Sequence, residues 1–381
     1  MFRVVLAPDS FKGSLSAPEV CAALATGLAR VCADAVVRSR PMADGGEGTL
    51  DAVLTAVGDA GRRHSASVRG AGGSAIHADY GMLVSPDGPT AVLEAAQIVG
   101  ITDPAGMGTP VGTRTTRGVG ELVRVLLDQR VRRFMIGLGG SSTNDGGAGM
   151  LTALGLSLVD ASGREIGSGP DGLAALARVD ASTLDPRLAE CSLTIMSDVD
   201  NPLAGIRGAT AIFGAQKGVL KEEERRFDDA IAHFARLAET AIGRRAADSP
   251  GAGAAGGLGF ALQLLGGAFH SGAEVVAGLI GLDAALADAD WAITGEGRSD
   301  AQTLLRKAPF VVAEHARRHA VPVSLISGAI DTEALPELGK HFAGCFALPN
   351  GPATLDECLA NAADLLADRA EQIARLLIAS R

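Results

Sequence analysis

The chain has 381 residues, 47% of them hydrophobic, and a formal net charge of −10 at pH 7, a length that suits two domains better than one. With one Trp, one Tyr and no long basic stretch, it has little with which to stack bases or follow a phosphate backbone, which excludes nucleic-acid binding as its main function. No apolar run is long enough to span a membrane or to act as a signal peptide, so we expect a cytoplasmic protein without a membrane partner.

The first part of the chain alternates predicted strands and helices. Residues 3–7 form an apolar run typical of a strand. A helix follows, with Ser16 as its N-cap and Glu19 completing a capping box. A short strand at 36–37 and a helix over 50–57 come next, so this part indicates a βαβα pattern.

The middle of the chain is richer in glycine and less regular. Residues 64–95 hold only short apolar runs between turn residues. Further on, helices are predicted over 117–129 and 222–242, the second of them amphipathic, and buried strands at 134–136 and 193–196.

The C-terminal part returns to the regular pattern. Strands are predicted at 289–294, 321–326 and 345–348, and one long helix over 355–378 closes the chain. Strands that alternate with helices indicate an α/β protein with a mostly parallel sheet. Because both ends of the chain have this pattern, we expect one domain built from both ends and a second domain inserted into it.

Residues 137–149 form the most distinctive loop, Gly-Leu-Gly-Gly-Ser-Ser-Thr-Asn-Asp-Gly-Gly-Ala-Gly, directly after a predicted strand. Its glycines leave backbone N–H groups open to an anion, and the N-terminus of the helix that follows favours negative charge. The other interpretation is a tight turn that needs glycine and caps itself with Asn144 and Asp145. The residues of this loop alone leave both interpretations open.

Five predicted strand ends share one chemistry, a carboxylate beside glycine or a small hydroxyl residue. They are residues 9–14, 44–47, 141–145, 198–201 and 296–300. Ligands of open α/β sheets bind outside the carboxyl ends of the strands, so we expect most of these loops to line one ligand site. Glycine loops for phosphate, carboxylates for Mg²⁺ and the cations Lys12, Lys217, Arg298 and Lys307 suit phosphoryl transfer.

The usual nucleotide motifs give a weaker signal. No Walker A motif occurs, and the one GxGxxG, at 251–256, follows a helix rather than the strand that a dinucleotide fold requires. This motif is the only support for an alternative function, that of an NAD-dependent hydroxy-acid oxidoreductase. A third alternative is a non-catalytic sensor of sugar acids or nucleotides, against which the many acidic loop residues argue.

Seven segments, in order along the whole chain, resemble the type I bacterial glycerate kinase family. They are residues 7–16, 43–49, 137–149, 198–203, 213–218, 250–257 and 294–298. The resemblance implies ATP-dependent phosphorylation of D-glycerate with Mg²⁺, with 2-phosphoglycerate favoured over 3-phosphoglycerate as the product. It also implies a flavodoxin-like α/β domain over 1–75 and 285–381, an inserted α/β domain over 76–284, and an active site in the cleft between the two.

Individual roles follow from matching residues to this chemistry. Asp198 is predicted to orient or deprotonate the acceptor hydroxyl, and Lys12 and Lys217 to neutralise charge on the transferred group, with Asp44 as a fourth catalytic residue. The predicted metal ligands are Asp44, Glu47 and Asp300. The residues predicted to bind substrate or phosphate are Asp9, Ser10, Gly139, Gly140, Ser141, Ser142, Thr143, Asn144, Asp145, Asn201, Gly295, Glu296 and Arg298.

The chain departs from the family pattern at one position. After Gln302 and Thr303 the family usually has Gly-Lys, whereas here Arg306 stands in the place of the glycine, before Lys307. Arg306 either replaces a close backbone contact with a charged one or alters the choice of acceptor. A kinase that acts on a related small hydroxy acid is therefore kept as an alternative, and a homodimer is left open.

Overall fold

A computed structural model describes residues 2–84 and 88–379. The strands are β1 (Arg3–Leu6), β2 (Val36–Ser39), β3 (Gly61–Arg69), β4 (Ala75–Leu83), β5 (Thr90–Glu94), β6 (Arg133–Gly137), β7 (Ser157–Val159), β8 (Arg178–Asp180), β9 (Ser192–Met196), β10 (Ala268–His270), β11 (Trp291–Ser299), β12 (Val323–Ile330) and β13 (Gly344–Ala347).

The α-helices are α1 (Ala17–Ala29), α2 (Thr49–Val57), α3 (Ala96–Val99), α4 (Pro104–Met107), α5 (Arg117–Asp128), α6 (Ala148–Ala153), α7 (Pro170–Leu173), α8 (Ala209–Phe213), α9 (Lys221–Ile242), α10 (Leu258–Leu264), α11 (Gly272–Leu279), α12 (Leu282–Leu286), α13 (Ala308–Arg318), α14 (Leu335–Leu338), α15 (Leu355–Ala360) and α16 (Ala362–Ala379). Short 3₁₀ helices lie at Gly58–Ala60, Val111–Thr113, Pro186–Glu190, Ala215–Lys217, Ala254–Gly257 and Ala301–Leu304. No helix within the described ranges is both long and apolar enough to cross a membrane.

The chain divides into two compact units. Unit 1 comprises Met1–Asp44, Gly48–Asp59 and Ser271–Arg381, and unit 2 comprises Gly45–Glu47 and Ala60–His270. The domain boundaries expected from the sequence, after residue 75 and before residue 285, differ from these. β3 pairs with β4 along its whole length and so belongs to unit 2, whereas α11 and α12 pack against α13 in unit 1.

Unit 1 is built on a five-stranded sheet in the order β13-β12-β11-β1-β2, in which every neighbouring pair is parallel. Numbered along unit 1 alone, this order is 2-1-3-4-5, the arrangement of flavodoxin-like folds. The predicted fold class, α/β with a mostly parallel sheet, is confirmed. In such a sheet the strand order reverses between the first and third strands, here β1 and β11, and this switch point is where ligands bind.

Helices α1 and α16 pack against each other in the core of unit 1. A Cβ atom on Gly27 of α1 would lie 2.0 Å from the carbonyl oxygen of Ala367 in α16, so glycine is required at this approach. Around it, Leu24 and Leu366 are buried, and each such leucine stabilises the fold by about 1.5–3 kcal/mol. We therefore expect a side chain at position 27 to separate the two helices.

Unit 2 contains a six-stranded sheet in the order β10-β9-β6-β5-β4-β3. The strands β10, β9, β6 and β5 are parallel, and β4 and β3 add an antiparallel pair at one side. On α9, Phe227, Ile231 and Phe234 recur at helical spacing and are fully buried, and the ring of Phe234 meets Phe260 edge to face at 6.2 Å. The parallel strands bring the ends of β6 and β9 to one edge of the sheet.

Residues 61–83 differ from the sequence prediction, because β3 and β4 form a regular antiparallel pair of nine-residue strands there. β3 is an edge strand, and its run from Arg62 to Ser65 is exposed and polar. Edge strands often carry charged residues that discourage further pairing, so the alternation by which a half-buried strand is recognised is missing.

Two further differences lie in unit 1. β11 continues to Ser299, so residues 295–299, expected to be a loop, pair with β12. The single helix expected over 355–378 is two helices that are separated at Asn361, whose Nδ2 donates to the carbonyl oxygen of Glu357 at 2.8 Å. Such a bond from side chain to backbone competes with the helix ladder.

Candidate active site

The carboxyl edge of the unit 1 sheet gathers acidic side chains at its switch point. Asp9 follows β1, and its backbone N–H donates to the carbonyl oxygen of Gly295 in the neighbouring β11 at 2.8 Å. Glu296 is the next residue of β11, and its Oε1 accepts hydrogen bonds from Ser299 at 2.8 Å and Thr303 at 2.6 Å. Both carboxylates are buried, which makes this edge unusually rich in negative charge for its low exposure.

The surroundings of Asp9 and Glu296 favour their protonated forms. Burial, followed by repulsion from Asp44, raises the pKa of Asp9 to about 8, although the Ser10 backbone N–H and Lys12 favour its charged form. Burial likewise raises the pKa of Glu296, against the hydrogen bonds from Thr303 and Ser299. Glu296 adds to the repulsion on Asp9. A cation placed here would relieve that repulsion.

Six predicted residues of unit 1, four acids and two lysines, are therefore linked electrostatically. Asp44 acts on Asp9, and Asp300 acts on Glu296, while Lys12 and Lys307 are the nearby cations that oppose these repulsions. All of these residues were predicted: Lys307 was named among the candidate cations, and the others lie in the strand-end loops 9–14, 44–47 and 296–300.

Other predicted residues of unit 1 have more local tasks. Asp300 Oδ1 accepts from the backbone N–H of Gln302 at 2.8 Å and caps the 3₁₀ helix Ala301–Leu304. Arg298 is exposed. The backbone N–H of Ser10 donates to Asp9 Oδ1 at 2.6 Å. At Gly295, a Cβ atom would lie 2.0 Å from the carbonyl oxygen of Ile326, so this glycine is required by the packing of β11 on β12.

Arg306 has a backbone conformation that suits glycine better than other residues. Its φ is +64°, in the left-handed region that glycine adopts easily and other residues at a cost of about 1–2 kcal/mol. Its exposed guanidinium lies 3.8 Å from Glu274 Oε1. Arg306 thus occupies a conformation that favours glycine, and its guanidinium forms an ion pair with Glu274 of α11.

In unit 2, the loop after β6 is buried and used largely for internal contacts. Asp145 accepts four hydrogen bonds: from the backbone N–H and Oγ1 of Thr116 at 2.7 and 2.9 Å, and from the N–H groups of Gly147 and Gly149 at 3.0 and 3.1 Å. Burial raises the pKa of Asp145, and these bonds counteract the rise. Ser142 donates from Oγ to the carbonyl oxygen of Val99 at 3.0 Å.

These contacts occupy two of the residues that were predicted to bind a ligand. Asp145 and Ser142 have no exposed surface, and the donors around Asp145 include N–H groups at the start of α6. This end of the loop is the self-capped turn that the sequence left as one of two interpretations. Asp145 accordingly has a structural task in the loop, since its oxygens are occupied by the protein itself.

The glycines of this loop mostly serve close packing within unit 2. A Cβ atom on Gly137 or Gly139 would lie 2.4 or 2.5 Å from the backbone of the segment Gly45–Glu47, and one on Gly147 would lie 2.3 Å from Ala261 Cβ. Their lack of a side chain is therefore needed by the protein backbone and neighbouring side chains, rather than by an approaching anion.

Lys217 provides the feature of unit 2 that suits a ligand. Its amine is buried and donates to Thr143 O at 2.8 Å and Ser141 Oγ at 3.2 Å. Its third proton has no acceptor, and its charge no ion pair, among the residues that the structure describes. Burial lowers the pKa of this amine to about 7, while Asp145 favours the charged form and Arg114 disfavours it.

Lys217 and Ser141 line a cavity of about 240 Å³ together with Gly139, Gly140 and Val199. Two buried polar atoms in the same loop, Thr143 Oγ1 and Asn144 Oδ1, also lack a partner in the described part of the chain, while Asn144 Nδ2 donates to Thr210 Oγ1 at 3.0 Å. A buried cation with a free N–H, beside a hydroxyl and glycine backbone, can hold a small anion.

Asp198 and Asn201 follow β9, the strand beside β6. Asp198 is exposed and precedes Val199, which lines the cavity of Lys217. Asn201 Nδ2 donates to the carbonyl oxygen of Arg207 at 2.9 Å and holds the loop after β9 in shape. The order of the strands places the residues after β6 and β9, including Ser141 and Asp198, at one edge of unit 2, and the amine of Lys217 contacts Ser141 there.

The predicted metal ligands divide between the units. Asp44 and Asp300 belong to unit 1, whereas Glu47 is exposed and belongs to unit 2. Within residues 2–84 and 88–379, no group of three or more His, Cys, Asp or Glu side chains is arranged to hold a metal ion. Mg²⁺ typically takes only one or two carboxylates, together with phosphate oxygens and water, so the acidic edge of unit 1 has the right donors for it.

The GxGxxG at 251–256 has a packing function. A Cβ atom on Gly251 would lie 2.6 Å from the ring of Phe269, one on Gly253 2.4 Å from Pro202 O, and one on Gly256 2.0 Å from Thr143 O. The motif follows no strand, and its backbone is pressed against its own chain, so it does not form a dinucleotide-binding loop.

Two buried charged residues were missed by the sequence analysis. Arg114 is buried beside the carbonyl oxygens of Ser142 and Lys217. Glu94 is buried at the end of β5, where it accepts from Gln97 Nε2 at 3.3 Å. Neither lies in a glycine-rich motif, although the end of a buried strand was a usable signal for Glu94.

Comparison with known proteins identifies the family of this chain. The model of the glycerate kinase family matches residues 4–378. The chain is 42% identical over 374 residues to a glycerate kinase of Bacillus subtilis, covering 98% of this chain and 97% of that protein. It is 41% identical over 378 residues to a protein of Escherichia coli named glycerate 2-kinase, covering 98% of both.

A solved structure gives the same result. The crystal structure of a putative glycerate kinase 2 from Salmonella typhimurium superposes with a TM-score of 0.84 at 41% identity, covering 100% of this chain and 99% of the other. The predicted family and the prediction of an enzyme are confirmed. The chain belongs to the glycerate kinase family and is a phosphotransferase.

Proposed function

We propose that this protein transfers the γ-phosphoryl group of ATP to the 2-hydroxyl of D-glycerate, with Mg²⁺. The observation that carries the proposal is the match of the glycerate kinase family to almost the whole chain, residues 4–378. The 2-position is supported by the name glycerate 2-kinase of the Escherichia coli relative.

The cavity of Lys217 is the proposed site of the acceptor acid. Its volume of about 240 Å³ lies below the range of roughly 300–1,000 Å³ that is typical for drug-sized ligands, so a three-carbon acid suits it better than a nucleotide. The buried amine would pair with the acid's carboxylate, which meets the unpartnered charge of Lys217. Gly139, Gly140 and Ser141 would complete the contacts.

In the proposed reaction, the oxygen of the acceptor hydroxyl attacks the γ-phosphorus, and the bond from that phosphorus to the bridging oxygen of ADP breaks. The hydroxyl proton passes to Asp198, whose exposed carboxylate lies next to a cavity residue. Lys12 would stabilise charge on the transferred phosphoryl group. The products are phosphoglycerate and ADP, so atoms and charge balance.

The acidic edge of unit 1 is the proposed site of Mg²⁺ and the nucleotide phosphates. Asp44 and Asp300 would hold the metal, and Asp9 and Glu296, whose charged forms are disfavoured by burial and by neighbouring carboxylates, would gain from its presence. When bound, Mg²⁺ supplies neutralisation of the phosphate oxygens. That both units contribute to one active site, that Glu47 contacts the metal, that Arg298 contacts phosphate, and that the protein is cytoplasmic and forms a homodimer all stay predictions.

A coupled ATP assay over a panel of small hydroxy acids tests this function, with the product identified by ³¹P and ¹H NMR. We expect D-glycerate to be the best acceptor, turnover to require Mg²⁺, and the phosphate to appear on the 2-oxygen. A better acceptor among the other acids would support the related-acid alternative. Tight binding of NAD(H) without ATP-dependent turnover would favour the oxidoreductase instead.

A further inference from the structure

Arg114 is a buried arginine without an acidic partner. It lies between the 3₁₀ helix Val111–Thr113 and α5, and only 3% of its surface is exposed. Its donors reach the carbonyl oxygens of Met107 and Thr109 at 2.8 Å each. Within the residues that the structure describes it forms no ion pair, and its charge is met by four carbonyl oxygens and by the sulfur of Met107 at 3.2 Å.

Two of its contacts connect the segments that carry the cavity groups. Arg114 Nη1 donates to Ser142 O at 3.1 Å and to Lys217 O at 2.8 Å. Ser142 follows Ser141, whose hydroxyl accepts from the Lys217 amine, and precedes Thr143, whose carbonyl oxygen also accepts from it. One guanidinium therefore fixes the backbone on both sides of the amine.

Arg114 also adds to an excess of buried positive charge around the cavity. Arg114 and Lys217 are two buried cations, whereas Asp145, the buried carboxylate that acts on Lys217, is already occupied by four hydrogen bonds. Burying a cation that no carboxylate neutralises costs free energy, and an anion in the adjoining cavity would recover part of it. A neutral ligand would not.

We propose that Arg114 is a positioning residue that holds the Lys217 amine and the Ser141 hydroxyl in place for the carboxylate of the acceptor acid. The proposal rests on the proposed function, since it assumes that the acceptor occupies this cavity. This positioning role explains why Arg114, which does not line the cavity and belongs to no recognisable motif, is buried although it is charged.

Steady-state kinetics of Arg114→Met and Arg114→Lys test the proposal, with Arg124→Met as the control. Arg124 lies on α5 as well, but is exposed and makes one long contact, from Nη1 to Ala153 O at 3.4 Å. In Arg114→Met we expect the KM for glycerate to rise roughly 10- to 100-fold, about the loss of one or two charge-assisted contacts, with the KM for ATP unchanged. Arg114→Lys should recover part of the loss, and Arg124→Met should match the wild type.

A pH profile separates positioning from a purely structural task. Loss of the proton from Lys217 should raise the KM for glycerate as pH increases. Arg114 disfavours the charged form of Lys217, so Arg114→Met should shift this increase in KM to higher pH. Arg114→Lys keeps the positive charge and should leave the increase near its original pH. A folded Arg114→Met with an unchanged glycerate KM, or with the KM values for glycerate and ATP raised alike, would overturn the proposal.

Two further results distinguish the remaining outcomes. If Arg114→Met does not fold, Arg114→Lys decides, and an unchanged glycerate KM in that variant counts against the proposal. If the wild type does not phosphorylate glycerate, the proposed function fails first. Calorimetric titration with D-glycerate then tests the site alone, and binding that Arg114→Lys does not weaken would refute the positioning task.

Discussion

Units 1 and 2 both place polar side chains at the carboxyl ends of parallel strands, but they bury charges of opposite sign. At the edge of unit 1, Asp9 and Glu296 are buried close enough to repel each other, and burial raises the pKa of both. At the edge of unit 2, Lys217 and Arg114 are buried, and burial lowers the pKa of both. Lys12 and Lys307 leave the pKa of both carboxyl groups raised, and Asp145 leaves the pKa of Lys217 lowered, so each edge would gain from a ligand of the opposite charge.

The comparison shows that similar strand-end geometry leaves the ligand undetermined until the sign of the buried charge is known. An edge that repels its own carboxylates gains from a cation, as in a complex of Mg²⁺ with nucleotide phosphates. An edge with unneutralised cations gains from a monoanion such as a carboxylate. Both ligands are needed by a kinase whose acceptor is an acid, and this division leads to four predictions.

The largest effect is expected at Asp198, the acidic residue beside the cationic cavity. If it takes the proton of the acceptor hydroxyl, Asp198→Asn should lower kcat by about 10²- to 10⁴-fold. The carboxylate is exposed, so the free energy of unfolding should change by less than about 0.5 kcal/mol. Coupled-assay kinetics and urea unfolding measure the two quantities.

Asp200 provides the matched control for this variant. It lies two residues further along the same loop, exposed, with an ion pair to Arg207 at 3.6 Å. Asp200→Asn should leave kcat within about twofold of the wild type, because exposed ion pairs contribute little. Near-normal turnover in Asp198→Asn, or an equal loss in both variants, would remove Asp198 from the reaction.

Lys217→Met removes the positive charge that distinguishes unit 2 from unit 1 and nearly keeps the volume of the side chain. We expect kcat/KM for glycerate to fall by about 10²-fold, the loss of a charge-assisted contact in a buried site, with little change in the KM for ATP. The free energy of unfolding should change by less than about 2 kcal/mol, since relief of a buried charge offsets the bonds lost at Ser141 and Thr143.

The control here is Lys221→Met, at an exposed lysine on α9 that pairs with Glu224. It should leave both kinetic constants unchanged. If Lys217→Met instead raised the KM for ATP and spared that for glycerate, the assignment of the two edges would have to be exchanged.

How far the sequence could predict these sites depends on the kind of signal. The carboxyl ends of parallel strands meet at one edge, so strand-end residues such as Asp9, Glu296 and Asp198 could be identified from the alternation of strands and helices alone. Which of them face the protein interior could not. Asp145 was expected to contact a ligand, yet its Oδ2 accepts two hydrogen bonds from Thr116, a residue 29 positions earlier.

Arg114 shows the same limit more sharply. A single arginine between two elements carries no periodicity or motif, and its importance comes from carbonyl groups of residues 28 and 103 positions away. The fold was predictable wherever apolar periodicity was strong, as in α9. It was not predictable in β3, whose exposed, polar residues gave no pattern to read.

The third prediction concerns how stability depends on pH, because the pKa of Asp9 is raised and the pKa of Lys217 is lowered. Asp9 has a pKa of about 8 in the folded protein, above its unfolded value, so the folded state binds the extra proton and stability is lost as pH rises towards about 8. Lys217 has a pKa of about 7, below its unfolded value, so the unfolded state holds the extra proton above pH 7, and this group adds stability as pH rises further.

Urea unfolding of the ligand-free protein with EDTA at several pH values checks both signs. Relative to the wild type, Asp9→Asn should gain stability between about pH 5 and 8, because the wild type loses it there. The difference between the wild type and Lys217→Met should grow in favour of the wild type between about pH 7 and 9. If the stability of a variant and that of the wild type changed with pH in the same way, the substituted residue would have a normal pKa. The contrast in buried charge would then not hold for the unit that contains that residue.

The smallest effect is expected at Arg306, a charged residue on the loop beside the acidic edge of unit 1. If its guanidinium contacted a phosphate, Arg306→Gly would raise the KM for ATP. Because φ is +64° and the single ion pair at 3.8 Å is exposed, we expect instead an unchanged KM for ATP. The relief of left-handed strain and the added freedom of glycine in the unfolded chain nearly cancel, which leaves a change in stability within about 1 kcal/mol.

Arg306→Val separates backbone from charge at this position. Both variants remove the guanidinium, but a β-branched residue is a true outlier at positive φ, so Arg306→Val should be less stable than Arg306→Gly by about 1–2 kcal/mol. Equal stabilities would show that the loop can change its path. A KM for ATP raised equally in both variants would show that the charge of Arg306 reaches the nucleotide, and the cations serving the acidic edge would then extend beyond Lys12 and Lys307.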